Sequence, residues 1–267
     1  MGGVSPCKFC GAHAEVAGRD ESLDAVLRPQ RQAIPENERI ARLRRQAGKP
    51  LMPPGNIAHL FDAGAIPAWR LNEAVTVWQA ARKESQTTGQ PDAGETVYFL
   101  AMALASMFGE QKDVNRQRAL LESSLEALRL PRHRQAIRCM LARLACHSGD
   151  AAAAEPWLAP CDAASDDLEM DSPYRFSRAV LATARGDFSG VLQVLGRGAN
   201  DVPMLQVVES TCVAFRANAV ERLGDVQGAS ALLAEHMSNR PDRTEILEKT
   251  FEYWAPFSLC TGSSRWG

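Results

Sequence analysis

Apolar positions along this chain recur three and four residues apart, the spacing of one helical face, and tight breaks interrupt them at a regular interval. The dipeptide Gly-Asp stands at Gly149-Asp150, Gly186-Asp187 and Gly224-Asp225, 37 and 38 residues apart, and Gly109 lies 40 residues before Gly149. Each glycine follows an apolar stretch and can close a helix in the left-handed conformation. Each Asp can then accept the free backbone amides of the next helix. The flanking residues keep step. Seven residues before the glycine come Ala142, Ala179 and Ala217; five after it come Ala154, Val191 and Ala229; nine after it come Leu158, Leu195 and Leu233. Two helices joined by a tight turn approach closely where small side chains face each other, and the leucines fill the space toward the neighbouring pair. Pro203 and Pro241, seventeen residues after Gly186 and Gly224, are placed to stop the second helix. The pattern predicts helix pairs over 95–250 with turns centred on Gly109, Gly149, Gly186 and Gly224.

Upstream, Pro35 opens a helix with Ile40, Leu43 and Ala47 on one side and Gly48 as its stop. Residues 49–55 hold three prolines and a glycine and read as a linker. A short helix over 56–64 and a longer one over 67–85, with Leu71, Val75 and Trp78 on one face, are expected to cap the first pair. Residues 86–94 read as a loop, and Asp162, Asp166, Asp167, Glu169 and Asp171 as an acidic loop between units. Residues 1–35 are loop-like, with a short helix over 23–27, and the last dozen residues are irregular. The expected division is 1–50, a Cys-x-x-Cys and Arg-rich segment; 51–94, a helical cap and linker; 95–255, the repeats; and 256–267, a tail.

Small residue, Gly-Asp turn, small residue, large apolar residue and closing proline, at these offsets, resemble the tetratricopeptide repeat, although the unit here exceeds that family's ~34 residues. The resemblance implies an all-α fold, a right-handed superhelical stack of about four antiparallel helix pairs. The first helix of each pair would line a concave groove for another protein or a peptide segment. By register, the groove positions are Cys139, Arg143 and Cys146, then Phe176, Val180 and Thr183, then Ala214, Asn218 and Glu221. Only Asn218 matches the Lys and Asn residues with which members of the family clamp a terminal carboxylate. The mixed, partly apolar remainder suits a helix or extended segment with apolar anchors.

Composition leaves this picture standing. Hydrophobic content of 45% and charge of 23% fit a folded globular chain, and 6% aromatic content with abundant alanine favours packed helices over strands. A net charge of -2 gives no global attraction to nucleic acid or acidic membranes. The near-continuous apolar stretch over 97–108 is too short to span a bilayer, and the first 30 residues lack a signal peptide's apolar core. A cytosolic location follows, with the seven cysteines reduced.

Enzyme signatures are absent: no Walker loop, no Gly-x-Ser-x-Gly elbow and no His-Glu-x-x-His. An adaptor rather than an enzyme is therefore expected. The rival class is a regulatory or nucleic-acid-associated protein, using an N-terminal Cys-x-x-Cys zinc knuckle and the basic residues Arg28, Arg31, Arg39, Arg42, Arg44, Arg45 and Lys49 as effector, with the repeats as sensor or dimerisation domain. No aromatic residues interleave with these charges to stack on bases, which favours a solvated helix face. Cys139 and Cys146 share a face but lie about 10 Å apart along a helix, too far for one zinc ion, so both are expected in the core.

The sharpest local motif is Cys7-Lys8-Phe9-Cys10-Gly11. Two thiolates three positions apart can hold one zinc ion from a tight turn, with His13 as a third ligand and His59 or a second chain completing the set. A redox dithiol and an unstructured remnant are the alternatives. If zinc is bound, protein purified without chelator or metal-binding tag contains one zinc per chain when His13 and His59 are engaged. It contains one-half when two chains share the ion. Replacing Cys7 and Cys10 by Ser should remove the metal and leave helical content intact; zinc well below half an equivalent in the unmodified protein defeats the assignment.

Overall fold

A helix leaves amides unbonded at its start and carbonyls unbonded at its end, and a chain that reverses within a few residues must satisfy both sets in one place. Four turns of this chain share one set of hydrogen bonds at the reversal. The residue before the Asp adopts the left-handed conformation, with φ of 58° at Lys112, 82° at Gly149, 72° at Gly186 and 98° at Gly224. The amide of the following Asp (113, 150, 187 or 225) reaches back to the carbonyl of Phe108, Ala145, Ala182 or Val220. Its carboxylate accepts from the amide three residues on, at Arg116, Ala153, Gly190 or Gly228. At Asp113, Asp187 and Asp225 one residue pair thus closes one helix and caps the next; the bond from Ala153 to Asp150 lies in a turn ahead of the following helix, whose N-cap is Ala154.

The computed structural model describes residues 5–6, 13–14, 34–48, 51–198 and 201–240. Residues 1–39 and 40–267 form two separate compact units. In the first, Ser5–Pro6 pairs antiparallel with His13–Ala14, and Arg39 forms a two-armed ion pair with Glu36. Helix α1, Glu36–Gln46, crosses the boundary between the units. The second unit continues with α2, Leu71–Thr88. Four pairs follow: α3, Pro91–Glu110, with α4, Val114–Ala127; α5, Pro131–His147, with α6, Glu155–Leu158; α7, Leu168–Ala184, with α8, Phe188–Leu195; and α9, Gln206–Arg222, with α10, Val226–Asn239. Apart from the two-residue pairing, the described residues are helical or connecting. None of their helices is long and apolar enough to cross a membrane.

Each first helix packs on its own partner, and α3, α5, α7 and α9 also touch in succession. The residues at the predicted offsets are all buried in one apolar cluster: Ala142, Ala179 and Ala217 with Ala154, Val191 and Ala229, and with Leu158, Leu195 and Leu233. One apolar cluster, including Trp78, Leu104, Leu121 and Ile137, covers α2 to α5; a second, including Phe176, Val191, Phe215 and Leu233, covers α5 to α10. Trp157 packs against both.

The first turn is not where Gly109 suggested. It is centred on Lys112 and Asp113, which restores a spacing of 37, 37 and 38 residues and brings Ala105, Gln117 and Leu121 to the repeat positions. Gly109 stays inside α3. A Cβ there would lie 3.2 Å from Gln117 Nε2, so its absence makes room for Gln117, whose amide donates to the Ala105 carbonyl at 2.9 Å. A buried polar side chain therefore replaces the small apolar residue of the later pairs.

Other expectations shift for local reasons. The loop expected over 86–94 contracts to Gly89 and Gln90, because Gly89 closes α2 with φ of 67° and Pro91 starts α3. The helix expected over 56–64 is a single 3-10 turn, Ala58–Leu60, and a second such turn, Ala68–Arg70, precedes α2. The buried face of α2 is Ala74, Trp78, Ala81 and Ser85, with Leu71 and Val75 at its margin. Pro203 does not stop α8. That helix ends at Leu195 on Gly196, and Arg175 and Arg216 take the exposed carbonyls of Val194 and Leu195, each at 2.8 Å. The acidic loop is shorter than expected: Asp167 caps α7, while Glu169 and Asp171 lie within it. Helix 23–27, Pro241 and the last dozen residues lie outside the described residues.

Helix α1 stops at Gly48 as expected, with φ of 84°. Its Leu43 packs on Leu168 and Leu205. Its Gln46 amide donates to the Asp166 carbonyl at 2.8 Å and accepts from Leu168 N at 2.9 Å.

Two measurements check these packing assignments. A Cβ on Gly186 meets nothing within 4 Å, so Gly186→Val should destabilise through backbone strain alone, by about 1 kcal/mol or more. Lys112→Gly should stabilise by up to ~1 kcal/mol by relieving the same conformation, and equal melting temperatures for both variants and the parent would contradict the turn. Ala217→Phe should overpack the α9–α10 contact and cost about 1–3 kcal/mol, whereas an unchanged melt would count against the pairing.

Candidate functional site

The face shared by the four first helices is the largest surface that the repeat creates. Positions ten, six and three residues before the turn residue lie on one side of each helix, because those separations are close to whole numbers of helical turns. In the first pair they are Met102, Ser106 and Gly109; in the later pairs they are the nine residues named from the register. Close packing of neighbouring first helices buries much of this row. Cys139, Phe176 and Ala214 are buried, as are Val180 and Asn218. Arg143, Thr183 and Glu221 are half-buried, and Ser106 is exposed. Thr183 bonds within its own helix, its hydroxyl donating to the Ala179 carbonyl at 2.9 Å. Asn218 Nδ2 is buried without a hydrogen-bond partner.

Lateral contacts join some of these residues and leave others apart. The Arg143 guanidinium lies 4.8 Å from the centre of the Phe176 ring, and its Nη1 donates to Ser177 Oγ at 2.8 Å. Phe176 in turn meets Phe215 edge-on at 5.7 Å. The Ser177 hydroxyl is directed at the carbonyls of Pro173 and Cys139, which turns its oxygen toward Arg143. Burial pulls Arg143 below the ordinary guanidinium value. Burial also pushes Cys212 up to about 12, Cys146 up to about 11 and Cys139 well above its usual value.

Toward the starts of α3 and α5, Tyr98 and His133 stack at 4.3 Å with rings 5° from parallel. Burial, followed by the field of Glu169, raises Tyr98 to about 12. Burial, followed by the field of Arg132, lowers His133 to about 4. Both rings are therefore neutral at pH 7, and His133 Nδ1 has no partner.

The basic stretch is partly committed inside the chain. Arg42 pairs with Asp166 at 2.8 Å and Arg44 reaches the Asp201 carbonyl at 3.4 Å; Arg45 is exposed. Arg28, Arg31 and Lys49 lie outside the described residues, as do Cys7 and Cys10. His13 is described only through its backbone pairing with Pro6. His59 sits half-exposed beside Glu73, 3.5 Å from its carboxylate. Among the described residues, no three His, Cys, Asp or Glu side chains are grouped to hold a metal ion.

Sequence register identified Arg143 and Phe176 but not Ser177, Tyr98 or Cys212, which complete the surroundings of that arginine. Periodicity along one helix assigns a face; it carries no information about which residue of the adjacent helix lies opposite. No family model, no curated protein and no solved structure matches this chain.

Proposed function

We propose that the chain is a protein–protein interaction scaffold, without catalytic activity of its own, whose first helices line the concave side of a right-handed, tetratricopeptide-like superhelix. A segment of another protein lies across that side, contacting Ser106, Arg143, Thr183 and Glu221. The observation that supports this reading is the unbroken succession of contacts from α3 through α5 and α7 to α9, whereas α4 and α8 pack mainly on their own partner and on the following first helix, and α6 on its own partner. Elements that touch on one side and spread on the other generate curvature, with the touching elements inside. The proposed setting is the cytosol, with the Cys7–Cys10 segment and His13 as a zinc-holding appendage separate from the repeats.

The test uses the full chain immobilised as bait. Ser106→Arg together with Thr183→Arg places two bulky cations on the first-helix side, while Glu122→Ala alters an exposed position of α4. The double variant should lose the captured partner and Glu122→Ala should retain it. Equal retention by both, or equal loss, would remove the first-helix side as the binding surface.

A further inference from the structure

Several arginines of this fold are each given a carboxylate. Arg175 meets the fully buried Asp171 at 2.8 Å, Arg178 and Arg185 share Glu155, and Arg240 meets Glu209. Burial pulls Arg143 and Arg216 below the ordinary guanidinium value. Arg216 is compensated by main-chain carbonyls, of Leu195 at 2.8 Å and Val202 at 3.5 Å, where the end of α8 concentrates partial negative charge. Arg143 has one neutral hydroxyl, Ser177, and the face of one ring, Phe176. No carboxylate among the described residues comes within ion-pair distance of it.

The titratable groups that surround Arg143 do not supply the missing charge. Tyr98, Cys139, Cys146 and Cys212 face it from α3, α5 and α9, and burial keeps each of them protonated and neutral at pH 7. A partly desolvated cation without a counter-charge is costly, and arginine cannot relieve the cost by losing its proton. Arg143 is half-buried rather than enclosed, and neither its Nε nor its Nη2 is among the fully buried atoms that lack a partner. With Nη1 held by Ser177, the edge formed by Nε and Nη2 remains available. Two parallel N–H groups on one edge match the two oxygens of a carboxylate.

We infer that Arg143 is an anion-binding residue of the first-helix face, and that the partner segment presents an acidic side chain to its Nε–Nη2 edge. This inference rests on the scaffold reading and specifies its ligand as an acidic peptide. A single guanidinium matches the single charge of a carboxylate. A phosphate, carrying about -1.5 to -2, calls for a cluster of cations, and the neighbouring Arg178 and Arg185 are already engaged by Glu155.

Fluorescence anisotropy with the full chain tests this, using end-capped, fluorescein-labelled hexaglutamate as probe and hexaglutamine as its neutral match. The parent protein should bind hexaglutamate, more weakly as salt rises, and should not bind hexaglutamine. Arg143→Gln should weaken hexaglutamate binding roughly tenfold or more, the loss of about one charge-assisted pair. Arg143→Lys should restore only part of it, because an ammonium lacks the planar edge. The melting temperature of Arg143→Gln should hold or rise, because the Ser177 and Phe176 contacts only offset the cost of a desolvated charge that has no counter-charge, whereas Arg216→Gln should lower it. Equal binding of the two peptides, undiminished binding by Arg143→Gln, or a drop in its melting temperature as large as that of Arg216→Gln would overturn the site. So would displacement of the probe by inorganic phosphate at concentrations where acetate has no effect, which would reassign the site to phosphate. A partner captured by the immobilised chain and retained equally by Arg143→Gln would overturn the carboxylate site while leaving the scaffold reading intact.

Discussion

The architecture depends on a one-residue reversal. A left-handed residue followed by Asp reverses the chain at Lys112, Gly149, Gly186 and Gly224, and at all of these but Gly149 the Asp also caps the next helix. Because the reversal is the same each time, the helices leave it at the same rotation, and residues at fixed offsets meet across every pair. That phase places Ala105, Ala142, Ala179 and Ala217 against the second helix, and it permits the close approach that buries them. It also brings an arginine of the next first helix to the carbonyl end of the preceding second helix. Arg134 donates to Leu125 and Leu128 at the end of α4, and Arg216 donates to Leu195 at the end of α8. Positive charge at that end satisfies unbonded carbonyls and complements the helix dipole.

Where a unit departs from the pattern, a polar side chain takes over what the missing element supplied. Helix α6 is only four residues long, and the segment after it has no second-helix carbonyl ladder. Gln135 substitutes for that ladder, donating to the carbonyls of Asp162 and Met170 and accepting from the Asp162 amide at 2.7 Å. In the first pair, Gln117 replaces a small apolar residue and brings its own acceptor, the Ala105 carbonyl. Trp78 and Ser85 tie α2 to α4 in the same manner, through Ser124 Oγ and the Ala127 carbonyl. Buried polar groups are tolerated here because each of these amides and hydroxyls finds a partner.

Most of the helical frame was legible in the sequence, since glycine, Asp, alanine and leucine at constant offsets encode the turn and the contact it enforces. The first turn was not, because Gly109 offered a false punctuation mark while Lys112 adopts a conformation that its type rarely takes. Asp113, 37 residues before Asp150 with Ala105 and Leu121 at the repeat offsets, was the signal that could have placed it. Pro203 misled for a related reason: Gly196 and two arginines from distant positions ended α8 before the proline was reached. The surroundings of Arg143 lay beyond reach, because Tyr98, Ser177 and Cys212 converge from three helices, and helical periodicity carries no lateral register.

Helix α6 gives the array an uneven mechanical profile. In a stack whose units contact mainly their neighbours, local stability is close to a sum of unit and junction terms, and the smallest term decides where the array yields. In the second unit the short α6 adds little to the junction, which rests on the packing of α5 against α7 together with the side-chain hydrogen bonds of Gln135 and with Trp157, which touches both apolar clusters. Hydrogen bonds of that kind are short-ranged and break over a fraction of an ångström, whereas apolar interfaces shear gradually. That junction is carried by one helix-on-helix interface, α5 against α7, whereas the junctions before and after it are each divided between a first and a second helix.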